Sequence, residues 1–115
     1  PTMVQAAAAA ALGDDAHVEE QRRRYADRRE FVRDALALHG LVHDGGDAAF
    51  YLWLRTADGA DDGWEIAARL AQEAGLLVSP GDLYGALGAD HVRLALVQPR
   101  ARLELALGRL VEARA

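Results

Sequence analysis

Apolar and polar positions alternate along this chain with several distinct periods, and the periods mark out eight elements. Thr2 can cap a short helix that runs through the alanines to Leu12, with Gly13 as its stop. Asp14 and Asp15 open a longer helix to about His39, with Asp14, Asp15, Glu19 and Glu20 in the turns where the helix dipole favours negative charge. Its apolar stripe is thin: Val18, Tyr25, Val32 and Leu36. Arg22, Arg23, Arg24, Arg28 and Arg29 cover the rest, so most of them are expected in water. The second half, with Phe31, Val32, Ala35, Leu36 and Leu38, is expected to be better buried.

After Gly40 the period changes. Leu41 to Asp44 reads as a short strand, and Gly45-Gly46-Asp47 as a turn. Ala48 to Thr56 reads as an aromatic strand, apolar on both faces at its centre and therefore placed inside a sheet. Asp61 or Asp62 caps a third helix, whose face carries Ile66, Ala67, Leu70 and Ala74 and which ends at Gly75. Leu76 to Ser79 is a further strand, followed by a glycine-rich loop from Pro80 to Asp90. His91 to Val97 has a clean period of two: Val92, Leu94 and Leu96 face one way, His91, Arg93 and Ala95 the other. Pro99 suits the first position of a last helix, with Leu103, Ala106, Leu107 and Leu110 buried. The order helix, helix, strand, strand, helix, strand, strand, helix predicts an α+β fold, a small and mainly antiparallel sheet covered by helices.

Composition narrows the function. The chain has 115 residues, 51% hydrophobic and 27% charged, with a net charge of −5 and no cysteine. This fits one globular domain. The acidic balance argues against nucleic acid and against an anionic membrane surface as partners. No apolar run reaches the roughly 18 residues of a spanning helix, and no secretory leader pattern is present. Without cysteine, nothing here requires an oxidising compartment. All 13 basic residues are arginine; there is no lysine. The start at Pro1, with Met3 not an initiator, suggests a piece of a longer protein.

Candidate chemistry is sparse. His39 and His43 are four apart, but Gly40 breaks the helix between them, so no metal is expected and the four histidines are assigned surface or capping roles. Asp58, Asp61 and Asp62 lack the spacing of a calcium loop. Gly81, Gly85 and Gly88 lead into a strand rather than a helix, with neither the lysine nor the spacing of a phosphate loop. Arg93 stands apart, an arginine on a period-two strand after a glycine-rich loop. Spacing leaves two readings open. It pairs with a surface carboxylate at a sheet edge, or it presents a planar donor fork to an incoming carboxylate, a task lysine cannot mimic.

The run Gly75-Leu76-Leu77-Val78-Ser79-Pro80-Gly81-Asp82-Leu83-Tyr84-Gly85, then Gly88, then His91-Val92-Arg93-Leu94-Ala95-Leu96 resembles a hallmark of class I/II (fold type I) pyridoxal-phosphate-dependent aminotransferases. Ala49-Phe50-Tyr51-Leu52-Trp53-Leu54 looks like that family's earlier aromatic strand. The arginine-rich helix looks like the helix joining the large domain to the small one. The resemblance implies that residues 1–115 are a C-terminal small domain, with 1–39 as the helical connection to the large domain. It implies that Arg93 binds the substrate α-carboxylate and that Tyr84 is the aromatic near the substrate mouth. It implies pyridoxal 5'-phosphate as cofactor, held by the large domain with its Schiff-base lysine, so that no catalytic or cofactor-binding residue lies in this segment. The implied reaction is a ping-pong amino transfer between an amino acid and a 2-oxo acid such as 2-oxoglutarate, in a cytoplasmic homodimer. General texture is most similar to actinobacterial succinyldiaminopimelate aminotransferases of lysine biosynthesis, acting on N-succinyl-LL-2,6-diaminopimelate. Aspartate- and kynurenine-type aminotransferases, a carbon–sulfur lyase of the same fold and a non-catalytic α+β interaction module are the alternatives.

Overall fold

The computed structural model describes residues 1–113. The elements follow the expected order: α1 (Thr2–Leu12), α2 (Asp15–Ala37), β1 (Leu41–His43), β2 (Tyr51–Thr56), α3 (Gly63–Ala74), β3 (Ser79–Pro80), β4 (Val92–Ala95) and α4 (Arg100–Glu112), with two short 3-10 turns between β3 and β4. The sheet has four strands in the order β1-β2-β4-β3, and every neighbouring pair is antiparallel.

Helices α2, α3 and α4 supply one side of a single core. Val32 and Leu36 of α2, Ile66, Leu70 and Ala74 of α3, and Leu103, Leu107 and Leu110 of α4 pack with Leu41, Leu52, Leu54, Val92, Leu94 and Leu96. Leu52 pairs with Leu94 and Leu54 with Val92, so the buried halves of β2 and β4 lie side by side. Each of these aliphatic side chains contributes on the order of 1.5–3 kcal/mol by leaving water. The residues between them, Tyr51, Trp53 and Arg93, consequently share the opposite face, with Trp53 directly across from Arg93.

Helix ends show which local signals are used. Asp62 accepts from the amides of Trp64 and Glu65 while Glu65 reaches back to the Asp62 amide, a complete capping box. Asp14 caps α2 through the amide of Ala16. At the other end of α3, Gly75 adopts φ +67, a left-handed cap that favours glycine.

Several boundaries differ from expectation. Pro1, not Thr2, occupies the N-cap of α1, and no side chain caps that helix. Gly13 has φ −87, so its stop uses none of glycine's extra freedom. Helix α2 ends at Ala37, and Leu38, expected in the core, is 81% exposed because the chain leaves the helix there. His39, expected at the surface, is buried. Residues 76–78 stay outside the ladder: the Leu76 amide turns back to Leu70 O and caps α3. Pro99 sits at the N-cap of α4 rather than its first turn. Among the helix arginines, Arg22, Arg23 and Arg24 are exposed as expected, whereas Arg28 and Arg29 are half-buried. No helix of the described residues is long and apolar enough to cross a membrane.

Candidate functional site

The uncovered face of the sheet carries an unbroken band of aromatic and cationic side chains. At its centre is Arg93. Its guanidinium carbon lies 4.6 Å from the centroid of the Tyr84 ring and 5.3 Å from that of Tyr51. Both distances are within the range of cation–π attraction. Among the described residues Arg93 has no carboxylate partner, which removes the edge ion pair as its role within this chain. Contacts with ring faces hold a guanidinium while leaving its in-plane N–H groups available, and those are the groups that meet a carboxylate in a bidentate pair.

The loop after β3 delivers Tyr84. Gly81 donates its amide to His91 O at 2.7 Å, anchoring the loop at the root of β4. Gly81 and Gly88 press against each other and against Trp53. A Cβ on Gly81 would fall 2.2 Å from Gly88 O and 2.9 Å from the Trp53 ring; one on Gly88 would fall 2.5 Å from Gly81 O and 2.9 Å from the same ring. These glycines are therefore set by close packing, not by phosphate binding. The loop folds back over Trp53, and Tyr84 meets the Trp53 edge at a centroid distance of 5.9 Å and 72°.

Behind Trp53 lies His91, its ring parallel to the indole at 5.2 Å and 16°. His91 Nδ1 is 2.6 Å from Asp90 Oδ1, and Nε2 is 3.3 Å from Asp44 Oδ2. Asp44 in turn receives the Arg55 guanidinium. Arg55, with a smaller contribution from His91, holds the Asp44 carboxyl below the usual carboxylate range against a modest opposing cost of desolvation. On the other flank Tyr51 touches Phe50 at 5.2 Å, Phe50 touches Tyr25 at 5.9 Å, and Arg28 lies over the Tyr25 ring.

The structure thus brings Arg93 and Tyr84 together. It adds Tyr51, Trp53 and His91, which sequence reasoning did not assign to the site. Only part of the signal was present: Arg93 lies on the polar phase of β4, whereas Tyr51 and Trp53 belong to a strand apolar on both faces, and it is strand pairing that places the three on one face. His91, expected in a surface or capping role, is instead a half-buried ring against Trp53. A cavity of about 600 Å³ lies between the first half of α2 and residues 47–50; Tyr25 and Phe50 line it and Arg93 does not.

Comparison with known proteins supplies the family. The chain is 49% identical over 110 residues to a probable aminotransferase of Mycobacterium tuberculosis, covering 96% of this chain and 25% of that protein. It is 36% identical over 108 residues to an LL-diaminopimelate aminotransferase of Oleidesulfovibrio alaskensis, covering 93% of this chain and 28% of that one. The crystal structure of an aromatic aminotransferase from Pyrococcus horikoshii superposes with a TM-score of 0.83 at 32% identity, covering 96% of this chain and 30% of that chain. This chain therefore spans about a quarter to a third of the length of these relatives. Residues 1–110 match the aminotransferase class I and II family, and the chain belongs to that family.

Proposed function

We propose that residues 1–115 form the C-terminal small domain of a pyridoxal-phosphate-dependent aminotransferase and that Arg93 binds the α-carboxylate of its substrates. The carrying observation is the state of Arg93, flanked by two tyrosine rings on the uncovered face with no carboxylate of its own among the described residues. Tyr51 and Tyr84 fix the plane of the guanidinium, so its donor edge is aimed before substrate arrives. Tyr84, half exposed on its loop, forms the rim. Bidentate seating fixes the carboxylate and so limits rotation of the substrate carbon that bears the amino group. Closing this face against the remainder of the protein excludes water from the pair and strengthens it.

The family implies pyridoxal phosphate for the full-length enzyme. The residues present here do not fit a role in carrying it, since the sequence contains no lysine. The proposal therefore places the cofactor, with its attachment residue, on the rest of the protein. Substrates are an amino acid and a 2-oxo acid, the full-length enzyme is a homodimer, and its compartment is the cytoplasm. Relatives named LL-diaminopimelate aminotransferase support a diaminopimelate-type donor, with N-succinyl-LL-2,6-diaminopimelate the first to assay. Family membership favours this enzyme reading over the interaction module.

The test is Arg93→Lys in the full-length enzyme. A point charge replaces a fork, and the loss of charge-assisted bonds of roughly 1.5–3 kcal/mol each lowers kcat/KM by about one to four decades with cofactor binding intact. Unchanged kinetics would refute the assignment. The natural full-length enzyme, assayed against 2-oxoglutarate with succinyldiaminopimelate, aspartate and kynurenine, and with glutamate by isotope exchange, tests the donor. A strong preference for aspartate or kynurenine would reject the diaminopimelate type.

A further inference from the structure

The band around Arg93 does not end at Tyr84. Tyr84 leans edge-on against Trp53, and Trp53 lies flat on His91. The indole is held in front by the backbone of Gly81 and Gly88 and behind by the imidazole, so its place depends on both. The imidazole is fixed in its turn. Asp90, adjacent in sequence, meets one ring nitrogen, and Asp44, from the segment after β1, meets the other. Asp44 is itself tied to Arg55 of β2. His91 is thereby held by Asp90, by Asp44 and by the Trp53 ring of β2, and only 13% of its side chain is exposed. A surface histidine needs none of this. An imidazole locked in plane against the indole under the Tyr84 loop has the geometry of a support.

We propose that His91 is a positioning residue, a rigid platform that sets Trp53 and, through Trp53, the loop carrying Tyr84 over Arg93. The inference rests on the reading of Arg93 as the carboxylate ligand. What His91 supplies is a flat ring of the right thickness in a fixed plane; Asp44 and Asp90 keep that plane. Without it Trp53 can sink toward β4, Gly81 and Gly88 lose the surface they are packed on, and Tyr84 leaves the guanidinium. A loop that is correctly seated only part of the time weakens apparent affinity by the fraction lost. Both substrates use the same seat, so both are affected alike. The platform touches no reacting atom, so turnover once substrate is seated changes little.

The experiment uses the full-length enzyme with its cofactor, 2-oxoglutarate as acceptor and, as donor, whichever of succinyldiaminopimelate, aspartate and kynurenine it uses best. His91→Gln keeps polarity and removes the ring. His91→Phe keeps a flat ring and removes both nitrogens. Arg93→Lys runs alongside. The expected result is that His91→Gln raises KM for that donor and for 2-oxoglutarate by about three- to tenfold, the size of one aromatic contact. In the same variant kcat stays within about twofold and the cofactor absorbance is unchanged. His91→Phe, which keeps the ring but not the nitrogens that fix its plane, brings both KM values to between those of His91→Gln and of the natural enzyme, a partial rescue that a purely hydrogen-bonding or ionic role would not give. The proposal is overturned if His91→Gln leaves KM unchanged, if its effect appears in kcat or in loss of cofactor, or if His91→Phe is as weak as His91→Gln. Should Arg93→Lys raise KM while His91→Gln does not, this inference fails and the Arg93 assignment stands. Should Arg93→Lys itself leave kcat/KM unchanged, both fail.

Discussion

Arginine at position 93 and lysine at the same place would carry equal charge but not equal shape, and shape is what the two tyrosine rings act on. Ring faces bind the flat of a guanidinium and leave its edge, whereas an ammonium has no edge to leave. Other residues of the surface act structurally. Arg28 donates to Leu96 O at 3.1 Å and lies over Tyr25, so Arg28→Gln should lower the thermal midpoint through loss of a bond worth about 1 kcal/mol. The same change, combined with Arg29→Gln, should alter kcat/KM by less than about tenfold, as expected of charges that do not seat the substrate; a larger fall would move these arginines into the site. Asp44 has a testable acid signature. Its carboxyl is held below the ordinary value of 3.8, mainly by Arg55. A lowered folded value means that its contribution is complete above the unfolded value and is lost as pH falls through the folded one. Thermal midpoints measured from about pH 6 down to about pH 3 should drop less steeply at the acid end for Asp44→Asn than for the natural sequence. Parallel curves would show that the Asp44–Arg55 pair adds nothing to stability.

At the scale of elements, the loop between β3 and β4 is set by contact rather than by turn chemistry. Gly81 and Gly88 are buried, and neither has room for a methyl group beside the other's carbonyl. Gly88→Ala therefore forces backbone or the Trp53 ring to move, a cost of about 1–3 kcal/mol. Thermal unfolding should register that loss, and KM should rise with it because the displaced loop carries Tyr84. A variant with an unchanged midpoint would mean that the loop opens without penalty. Strand β4 shows why short assigned strands can still be rigid. Beyond its four residues, Leu96 donates to Phe50 O and His91 O accepts from Gly81, so both flanks of Arg93 are tied to neighbouring segments.

For the molecule as a whole, the core and the site lie on opposite faces of one sheet. Helices α2, α3 and α4 fill one face; the aromatic band occupies the other, where the loop between β3 and β4 folds over Trp53. That division leaves Arg93 on the face turned away from the core. Mixed with pyridoxal phosphate, reduced with borohydride and weighed by mass spectrometry, the isolated 115-residue chain should show no adduct on any side chain, because it has no lysine. An adduct mapped to a position within the fold would contradict the placement of cofactor chemistry on the remainder of the protein.

The order of all eight elements, the buried stripe of α4, the capping of α3 by one of Asp61 and Asp62 and the alternation of β4 were legible in the sequence, because each depends on the period of nearby residues and on local hydrogen bonding. Motif resemblance pointed to Arg93 and Tyr84 before any coordinates did. Period alone could not choose between an edge arginine with a surface partner and an open-faced one, since both read as the polar phase of a strand. Strand pairing decided it: β2 and β4 meet in a register that sets Trp53 across from Arg93 and brings Tyr51 beneath its guanidinium. Tertiary packing also decided the fate of the histidines, burying His39 and turning His91 onto Trp53. Their neighbours come from segments tens of residues away, Asp44 lying 47 positions from His91. Contacts over such distances leave no local period to read, because they are selected by which faces two strands bring together and not by the residues on either side.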